Sequence, residues 1–254
     1  MVSFFRRITF SKWWWLVLRF AVVTPYFEEP IEKLARCHRS VLDQSYKDVI
    51  HIFVGDGRRQ EDIDSWPRTQ HITLPLPHSD FGDTPRLIGA ASAAGLQFEA
   101  VLFLDADNWY AENHIETLYS LGRSSGADVV TSSRYLCRPD TGEVLGVCTE
   151  CDGLNFVDSN CYMFFDSAFY ILSAWGLRGN SAVRSGVSVI GDRVLWHAIQ
   201  NSNLQRTHSM RPTVFYETSF AAHYLARGID VPGFAKVIRY DKNQNRYCIE
   251  PYAG

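Results

Sequence analysis

The N-terminal half of the sequence alternates between continuous apolar runs and segments with helical hydrophobic spacing. The runs at 49–54 and 100–104 contain almost no polar residue, which is typical of strands buried on both faces of a sheet. The predicted strands cover residues 19–24, 49–54, 70–74, 100–104 and 127–133. The predicted helices begin near residues 30, 83 and 113 and end near residues 42, 95 and 122. This succession indicates right-handed βαβ units and a doubly wound α/β sheet.

Capping and breaking residues set the expected boundaries of these elements. Pro25 is expected to stop the first strand after residue 24. Pro30 suits the first turn of the first helix, and Asp83 or Thr84 caps the second helix. Gly95 then ends that second helix, because glycine readily adopts the left-handed conformation found there.

The second half has a less regular pattern. We predict a hairpin around 139–142, a strand over 157–165, a helix over 166–175 and a strand or loop over 186–190. A further helix starts at Gly191 and Asp192, and a last one contains His223 and ends near Gly228. We expect one domain over residues 16–240, an aromatic and basic segment over 1–15 and a tail over 241–254.

Two carboxylates directly follow the central apolar run. Asp105 and Asp107 stand at i and i+2 of an extended chain, so their side chains point to the same side. In parallel α/β sheets, ligands bind just beyond the carboxyl ends of the strands. Acids in this position can share one cation or one polyol. For an isolated D-x-D sequence, a solvated turn would be the ordinary explanation.

Two further charged residues are expected at the same edge. Asp56 lies in a Gly-Asp-Gly turn after the second strand. There its carboxylate can accept hydrogen bonds from a base or a ribose, or form an Asx turn. Arg86 lies in the first turn of the second helix, where a cation and free N–H groups suit a diphosphate. With diphosphate oxygens, Asp105 and Asp107 would offer Mn²⁺ or Mg²⁺ an all-oxygen site.

In this order, the motifs resemble those of the inverting family 2 glycosyltransferases. The resemblance covers residues 20–135 and rests on A-V-V-T-P-Y-F at 21–27, S-V-L-D-Q-S-Y at 40–46, V-G-D-G at 54–57 and F-L-D-A-D at 103–107. It implies the GT-A fold, an α/β fold with a mostly parallel central sheet flanked by helices and a Rossmann-like N-terminal half. Residues 16–135 would bind the nucleotide sugar, and residues 136–240 the acceptor. Gly55 departs from the acid that is usual at its position.

The resemblance also implies roles for individual residues. The nucleotide-sugar donor would lie against Thr24, Pro25, Tyr26, Glu28, Asp56, Arg86, Asp105 and Ala106. Asp107 and Asp105 would bind Mn²⁺ or Mg²⁺, and His223 is a further candidate ligand. Asp192 would be the catalytic base, although Gly191 stands where the family has a preceding acid. The candidates for acceptor contact are Asp158, Asn160 and Trp196.

The implied activity is a metal-dependent, in-line transfer of a sugar to a hydroxyl group. The donor is expected to be UDP-linked, and the acceptor a glycan, a lipid-linked molecule or a protein. A nucleotidyltransferase on a similar scaffold is the closest rival, but it would need a Gly-rich, basic loop that residues 24–29 do not provide. A non-catalytic nucleotide- or carbohydrate-binding domain is the other rival, and the joint presence of Asp105, Asp107 and Asp192 argues against it.

Composition and charge narrow the classes of partner. The net charge of −3 gives no electrostatic footprint for nucleic acid. No apolar run approaches the roughly 20 residues that span a bilayer, and no signal peptide is recognised, so we expect a cytoplasmic location. Residues 4–7 (FFRR) and 13–15 (WWW) would suit peripheral contact with the inner face of the membrane, or a homodimer contact.

The cysteines offer a competing site. With no export signal, the six thiols are expected to be reduced. Cys148 and Cys151, flanked by Cys137 and Cys161, are candidate ligands of a structural zinc ion. The second C-x-x-C pair of a zinc ribbon is missing, so the sequence alone gives this hypothesis little support.

Overall fold

The computed structural model describes residues 20–177, 191–241 and 246–254. Its strands are β1 (Phe20–Tyr26), β2 (Val49–Gly55), β3 (Thr69–Thr73), β4 (Ala100–Phe103), β5 (Trp109–Tyr110), β6 (Val129–Cys137), β7 (Val144–Val147), β8 (Tyr162–Phe165), β9 (Arg206–Glu217), β10 (Lys236–Asp241) and β11 (Arg246–Pro251). Within the described residues, β1 to β9 form one mixed sheet in the order β3-β2-β1-β4-β8-β6-β9-β5, with β7 paired to β6. Strands β10 and β11 form a separate hairpin.

Helices flank this central sheet, which confirms the predicted α/β class. The α-helices are α1 (Ile31–Leu42), α2 (Asp83–Gly95), α3 (His114–Ser125), α4 (Gly191–Gln200) and α5 (Ala221–Leu225). Shorter 3-10 segments cover Glu61–Ser65 and Ser159–Cys161, and a longer one covers Asp166–Leu177. The core lies between the sheet and these helices, where Val22, Leu102 and Phe103 are fully buried.

The four strands β3, β2, β1 and β4 are mutually parallel, as the N-terminal pattern predicts. Phe20 of β1 is in register with both Val49 of β2 and Ala100 of β4. Because the strands start in register, the segments that follow β1, β2 and β4 emerge at one edge of the sheet. The pattern becomes mixed beyond β4, where β8 runs antiparallel to both β4 and β6.

Pro25 lies inside β1 instead of ending it, so the predicted end of this strand is wrong. The N–H of Leu104 donates to the carbonyl of Val23 (3.0 Å), which means that Val23 turns its polar groups towards β4. Pro25, two residues later, faces the same way, and β4 has already ended at Phe103. The missing proline N–H therefore costs no ladder hydrogen bond.

Helix α2 spans the predicted residues but has a different N-terminal cap. Gly82 is the N-cap residue, with φ +84°, and the carboxylate of Asp80 accepts the N–H of Thr84 (3.0 Å). Gly89 lets this helix approach the sheet closely, because a Cβ atom there would lie 2.4 Å from Cγ1 of Val23. The Arg86 side chain is thereby held beside the strand ends.

Strand β9 is absent from the sequence-based prediction. Its first half is polar and partly exposed, and Pro212 interrupts any strand pattern. Opposite β6, the register jumps from Thr131–His208 to Ser133–Pro212. Met210, with φ +56°, lies in the resulting bulge. Such a strand has no continuous apolar run, because it is held by pairing with β6 and not by burial of both faces.

Three other predictions for the second half need correction. The strand expected over 157–165 is a 3-10 turn followed by the short β8, and the helix expected over 166–175 is a 3-10 helix. The last helix ends at Leu225 and not near Gly228. Beyond these three, Arg246–Pro251 in the segment expected as a tail forms β11, which pairs with β10. Strand β8 and helix α5 are short, so local periodicity carries little information about them.

Two of the predicted segments fall outside the described residues, namely the aromatic and basic stretch at 1–15 and the strand or loop at 186–190. Among the helices that are described, none has the length and apolar character required to cross a membrane.

Candidate active site

Two cavities of about 430 Å³ each open at the carboxyl ends of β1, β2 and β4. The first, here called the β-edge cavity, is lined among others by Pro25, Tyr26, Asp56, Ala106 and Asp107. The second, the α4 cavity, is lined among others by Glu150, Phe156, Asp158, Asp192 and His223. Four residues line both cavities and join them into one cleft: Phe81, Arg86, Asp105 and Tyr216.

Asp105 lies at the junction of the two cavities and is held on three sides. Its Oδ1 accepts a hydrogen bond from Arg86, and its Oδ2 accepts one from Nδ2 of Asn160 (2.9 Å). Its backbone N–H donates to Oδ1 of the same asparagine (2.5 Å). This carboxylate is therefore fixed in orientation before any ligand arrives.

Arg86 is buried, and its guanidinium forms hydrogen bonds with other residues of the protein. Its Nη1 donates to the carbonyl of Phe81 (3.0 Å), and its Nη2 pairs with Asp105. Burial works to lower the pKa of Arg86, but the carboxylates of Asp105 and Asp83 outweigh it and raise that pKa above its ordinary value. This arginine is a permanent cation in the shared wall of the two cavities.

Asp107 lies in a crowded negative environment. Burial and the neighbouring Asp105, with smaller contributions from Glu217 and Glu29, raise its pKa to about 7 against the opposing effect of Lys33. A carboxylate under such repulsion gains from a nearby cation. Arg36 fixes the loop by donating to the backbone carbonyl of Asp107 (2.6 Å).

Asp56 lines the β-edge cavity and fixes the loop at His78. Its carboxylate accepts the backbone N–H of His78 (3.0 and 3.1 Å) and hydrogen-bonds with Nδ1 of that ring (2.7 Å). Gly55 departs from the family pattern for a steric reason. A Cβ atom at Gly55 would lie 2.1 Å from the carbonyl oxygen of Arg58 and 2.6 Å from the Tyr26 hydroxyl.

Asp192 occupies the first turn of α4 and lines the α4 cavity together with Asp105. Its Oδ1 accepts the N–H of Arg193 (2.7 Å). Burial and the neighbouring Asp158 raise the pKa of Asp192 to about 7, although Arg134 and Arg193 oppose the shift. Near neutral pH such a carboxylate can accept a proton, as a general base requires.

The glycine before Asp192 also has a steric explanation. A Cβ atom at Gly191 would lie 2.0 Å from Oδ1 of Asp83. Asp83, in the first turn of α2, is buried and forms an ion pair with Arg86 (3.7 Å). A carboxylate from a different helix thus fills the space that a side chain at position 191 would need.

Asp158 and Asn160 belong to one buried network. Asp158 Oδ2 pairs with Arg134, and its Oδ1 accepts the backbone N–H (3.0 Å) and Nδ2 (2.6 Å) of Asn160. Asn160 is fully buried and lines neither cavity. It bridges Asp158 to Asp105, which is a different position from the acceptor contact that the sequence predicts.

Three more candidates, Thr24, Glu28 and Trp196, line neither cavity. The Thr24 hydroxyl is fully buried, donates to the carbonyl of Leu104 (2.6 Å) and hydrogen-bonds with Nε2 of His51 (2.7 Å). Glu28 forms an exposed ion pair with Arg58 (2.7 Å). Trp196 is buried, and its Nε1 donates to the carbonyl of Leu154 (3.3 Å). The polar group of each side chain is therefore bonded to another part of the protein, and the spacing of residues in the sequence does not indicate these contacts.

His223 lines the α4 cavity, where its Nδ1 hydrogen-bonds with Oγ1 of Thr218 (2.5 Å). Burial and the cations Arg134 and Arg227 lower its pKa to about 4, so the ring is neutral at pH 7. In the described part of the chain, no three His, Cys, Asp or Glu side chains are grouped as metal ligands. His223, Asp105 and Asp107 do not form a cage of their own.

The same finding applies to the cysteines. All six are free, and Cys137, Cys148, Cys151 and Cys161 are buried. Because these four lie within the described residues, where no such group occurs, they do not form the zinc site considered from the sequence. Burial raises the pKa of Cys161 well above its ordinary value, which is typical of a packed thiol.

Sequence reasoning missed the contribution of β9 to the site. Tyr216 lines both cavities, and its ring lies 3.9 Å from the guanidinium of Arg134. Glu217 accepts hydrogen bonds from Lys33 (2.6 Å) and pairs with Arg36 (2.7 Å). An apolar stretch followed at once by an acid, the pattern seen at 100–105, recurs at 214–217 and would have indicated this strand end.

Comparison with known proteins relates the chain to a family and a fold. The sequence profile of glycosyl transferase family 2 matches residues 21–147, which include the carboxyl ends of β1, β2 and β4. No curated protein sequence matches the chain.

Among solved structures, S. aureus TarS 1-349 superposes with a TM-score of 0.59 at 14% identity, over 82% of this chain and 63% of that one. TarS 1-349 in complex with UDP-GlcNAc gives a TM-score of 0.58 at 14% identity, over 79% and 58%. The chain therefore spans about three fifths of these structures, and at this identity the likeness concerns the fold alone. The predicted GT-A fold is confirmed.

Proposed function

Because this chain belongs to glycosyl transferase family 2, we propose that it transfers a sugar from a UDP-linked donor to a hydroxyl acceptor, with inversion at the anomeric carbon. The observation that carries the proposal is the position of Asp105 in the wall between the β-edge and α4 cavities. A donor bound along the strand ends would present its sugar towards Asp192. The related fold of S. aureus TarS 1-349 in complex with UDP supports the choice of nucleotide.

The β-edge cavity would hold the nucleotide. Asp56, fixed by His78, can accept hydrogen bonds from the base or the ribose. Tyr26 contributes its buried ring to the cavity wall. Its hydroxyl is already hydrogen-bonded to Nε2 of His71 (2.6 Å), so the ring and not the hydroxyl would contact the nucleotide. Arg86 would counter the charge of the diphosphate across the shared wall, since it is a cation at every physiological pH.

A divalent ion fits the donor set at Asp107. This carboxylate lines the β-edge cavity and is repelled by Asp105 and Glu217. Both oxygens of Asp105 already accept hydrogen bonds, so Asp107 would be the principal protein ligand, with diphosphate oxygens completing the shell. Bound Mn²⁺ or Mg²⁺ would neutralise the charge that develops on the leaving UDP.

Asp192 would act as the general base. It accepts the proton of the acceptor hydroxyl while that oxygen bonds to the anomeric carbon, and the bond from this carbon to the UDP oxygen breaks. The N–H of Arg193 holds the Asp192 carboxylate in place. General-base catalysis is worth about 10²–10⁴-fold in rate, and this sets the loss expected when the base is removed.

The test is release of UDP from a panel of UDP-sugars with Mn²⁺ present, with water as the default acceptor. We expect release by the unaltered protein and a loss of about 10²-fold or more in Asp192→Asn. Asp43→Asn, at the exposed C-cap of α1, should keep full activity as the matched control. Nucleotide binding without UDP release would support a non-catalytic binding domain, and full activity in Asp192→Asn would contradict the assigned base.

A further inference from the structure

The β10–β11 hairpin presents two unlike faces. Ile238 and Ile249 are direct cross-strand partners, so their side chains lie together on one face. Arg239 and Glu250 form an ion pair on the opposite face (3.6 Å). The two isoleucines remain 44% and 42% exposed, which leaves a substantial apolar surface open.

This apolar face lines the α4 cavity, the one that contains Asp192. Phe156 and Phe220 contribute further apolar surface to the same cavity. Backbone hydrogen bonds hold the hairpin in place, from Lys236 N–H to the carbonyl of Ser219 (2.7 Å) and from Tyr252 N–H to that of Ala235 (2.8 Å). The wall is thus a fixed part of the cleft.

The charges of the α4 cavity are largely balanced. Arg86 is paired with Asp105 and Asp83, and Arg134 with Asp158, within the wall. Lys236 and Arg193 line the same cavity as Glu150 and Asp192. Arg193 lies over the ring of Phe156, 5.1 Å from its centroid. This balance offers no excess of positive charge to a polyanionic acceptor, whereas the isoleucine pair offers apolar contact.

We propose that Ile238 and Ile249 form an acceptor subsite for an apolar aglycone, so that the acceptor is a hydroxyl compound carried on an alkyl or aromatic body. The proposal rests on the function assigned above, because Asp192 marks the end of the cavity where the hydroxyl reacts. The apolar body would cover the isoleucine pair while the hydroxyl reaches Asp192. Burying this surface removes apolar area from water, which favours binding.

The experiment compares matched methyl and octyl glycosides of glucose, galactose and N-acetylglucosamine, below their micelle concentrations. Dissociation constants are measured by ligand-observed NMR with UDP and Mn²⁺ present, so that no turnover is needed. We expect each octyl glycoside to bind at least tenfold more tightly than its methyl partner. Ile238→Ser/Ile249→Ser should reduce this ratio about tenfold, the order expected when a hydrophobic pocket loses alkyl groups.

The matched control is Val144→Ser/Val147→Ser, two residues of similar exposure on β7 that do not line the cavity. It should keep the full octyl preference. UDP affinity, measured on the same samples, should be unchanged in both variants, which separates loss of the subsite from loss of the nucleotide site.

An equal affinity for methyl and octyl glycosides, or an octyl preference retained by Ile238→Ser/Ile249→Ser, would overturn the subsite. A dimer in solution that this variant converts to a monomer would assign the apolar face to a second copy of the chain. Absence of UDP binding with the octyl preference intact would refute the proposed function and leave the apolar subsite standing.

Discussion

Asp192 should destabilise the folded protein above neutral pH, and Asp192→Asn should therefore be more stable than the unaltered chain. Burial and Asp158 raise the pKa of this carboxyl from 3.8 to about 7. The unfolded chain loses the proton near pH 3.8, whereas the folded protein retains it until about pH 7. Stability consequently falls as pH rises between these two values, and above them the deficit is constant.

The size of the effect follows from the shift. This rise of the pKa corresponds to roughly 4 kcal/mol at pH 8 and about 2 kcal/mol at pH 5. Asparagine removes the charge and can still accept the N–H of Arg193. For a chain of 254 residues, these gains raise the melting temperature by about 8 °C at pH 8 and about 4 °C at pH 5.

The assay is urea unfolding of the unaltered protein, Asp192→Asn and the exposed-site control Asp43→Asn, each at pH 5 and pH 8. We expect a gain in unfolding free energy that is about twice as large at pH 8 as at pH 5 and that occurs only in Asp192→Asn. A gain of equal size at both pH values, or no gain at pH 8, would mean that the Asp192 carboxyl titrates normally in the folded protein.

Three further predictions concern the same cleft. The rate of UDP release at low donor concentration should rise with pH and level off above about pH 7, because deprotonated Asp192 is the active base. A rate that does not change between pH 5 and pH 8 would be incompatible with that role. Asn160→Ala should lower kcat at least tenfold, because it removes the hydrogen bonds that orient Asp105. The control Asn155→Ala, in an exposed loop, should leave kcat unchanged. Equal kcat in both variants would contradict the role of Asn160 in orienting Asp105. Asp158→Asn should lose about 3–5 kcal/mol of unfolding free energy in a denaturant titration, because buried Arg134 is left unpaired. The double variant Arg134→Met/Asp158→Leu should recover most of that loss. A double variant as unstable as Asp158→Asn would show that the charge of Arg134 is not the cause.

The parallel half of the sheet could be predicted from the sequence because its strands are buried on both faces. Such strands are continuous apolar runs, and the chain leaves each run at the same edge of the sheet. Asp56, Asp105 and Asp107 follow these runs directly, so their location at one edge is a consequence of the pattern. The pattern also indicated that a helix starts at Gly191 and Asp192, whereas the choice of Asp192 as a site residue depended on the family resemblance.

Other features depend on contacts that local sequence does not encode. Strand β9 is held by pairing with β6 across a bulge, so its polar residues give no strand pattern. Asn160 reaches Asp105 from 55 positions away, and no spacing rule predicts that its amide clamps a carboxylate. The steric fit of Gly191 against Asp83 likewise joins two helices that are distant in the chain.

We propose that Asp107 binds the metal ion and the nucleotide donor, while Asp192, in the α4 cavity of the same cleft, is the general base. The most direct test is calorimetric titration of UDP-GlcNAc, with and without Mn²⁺, into the unaltered protein, Asp107→Asn and Asp192→Asn. We expect Mn²⁺ to strengthen binding of UDP-GlcNAc to the unaltered protein and to Asp192→Asn, and we expect Asp107→Asn to lose this gain. Equal Mn²⁺-dependent affinity in all three proteins would contradict it.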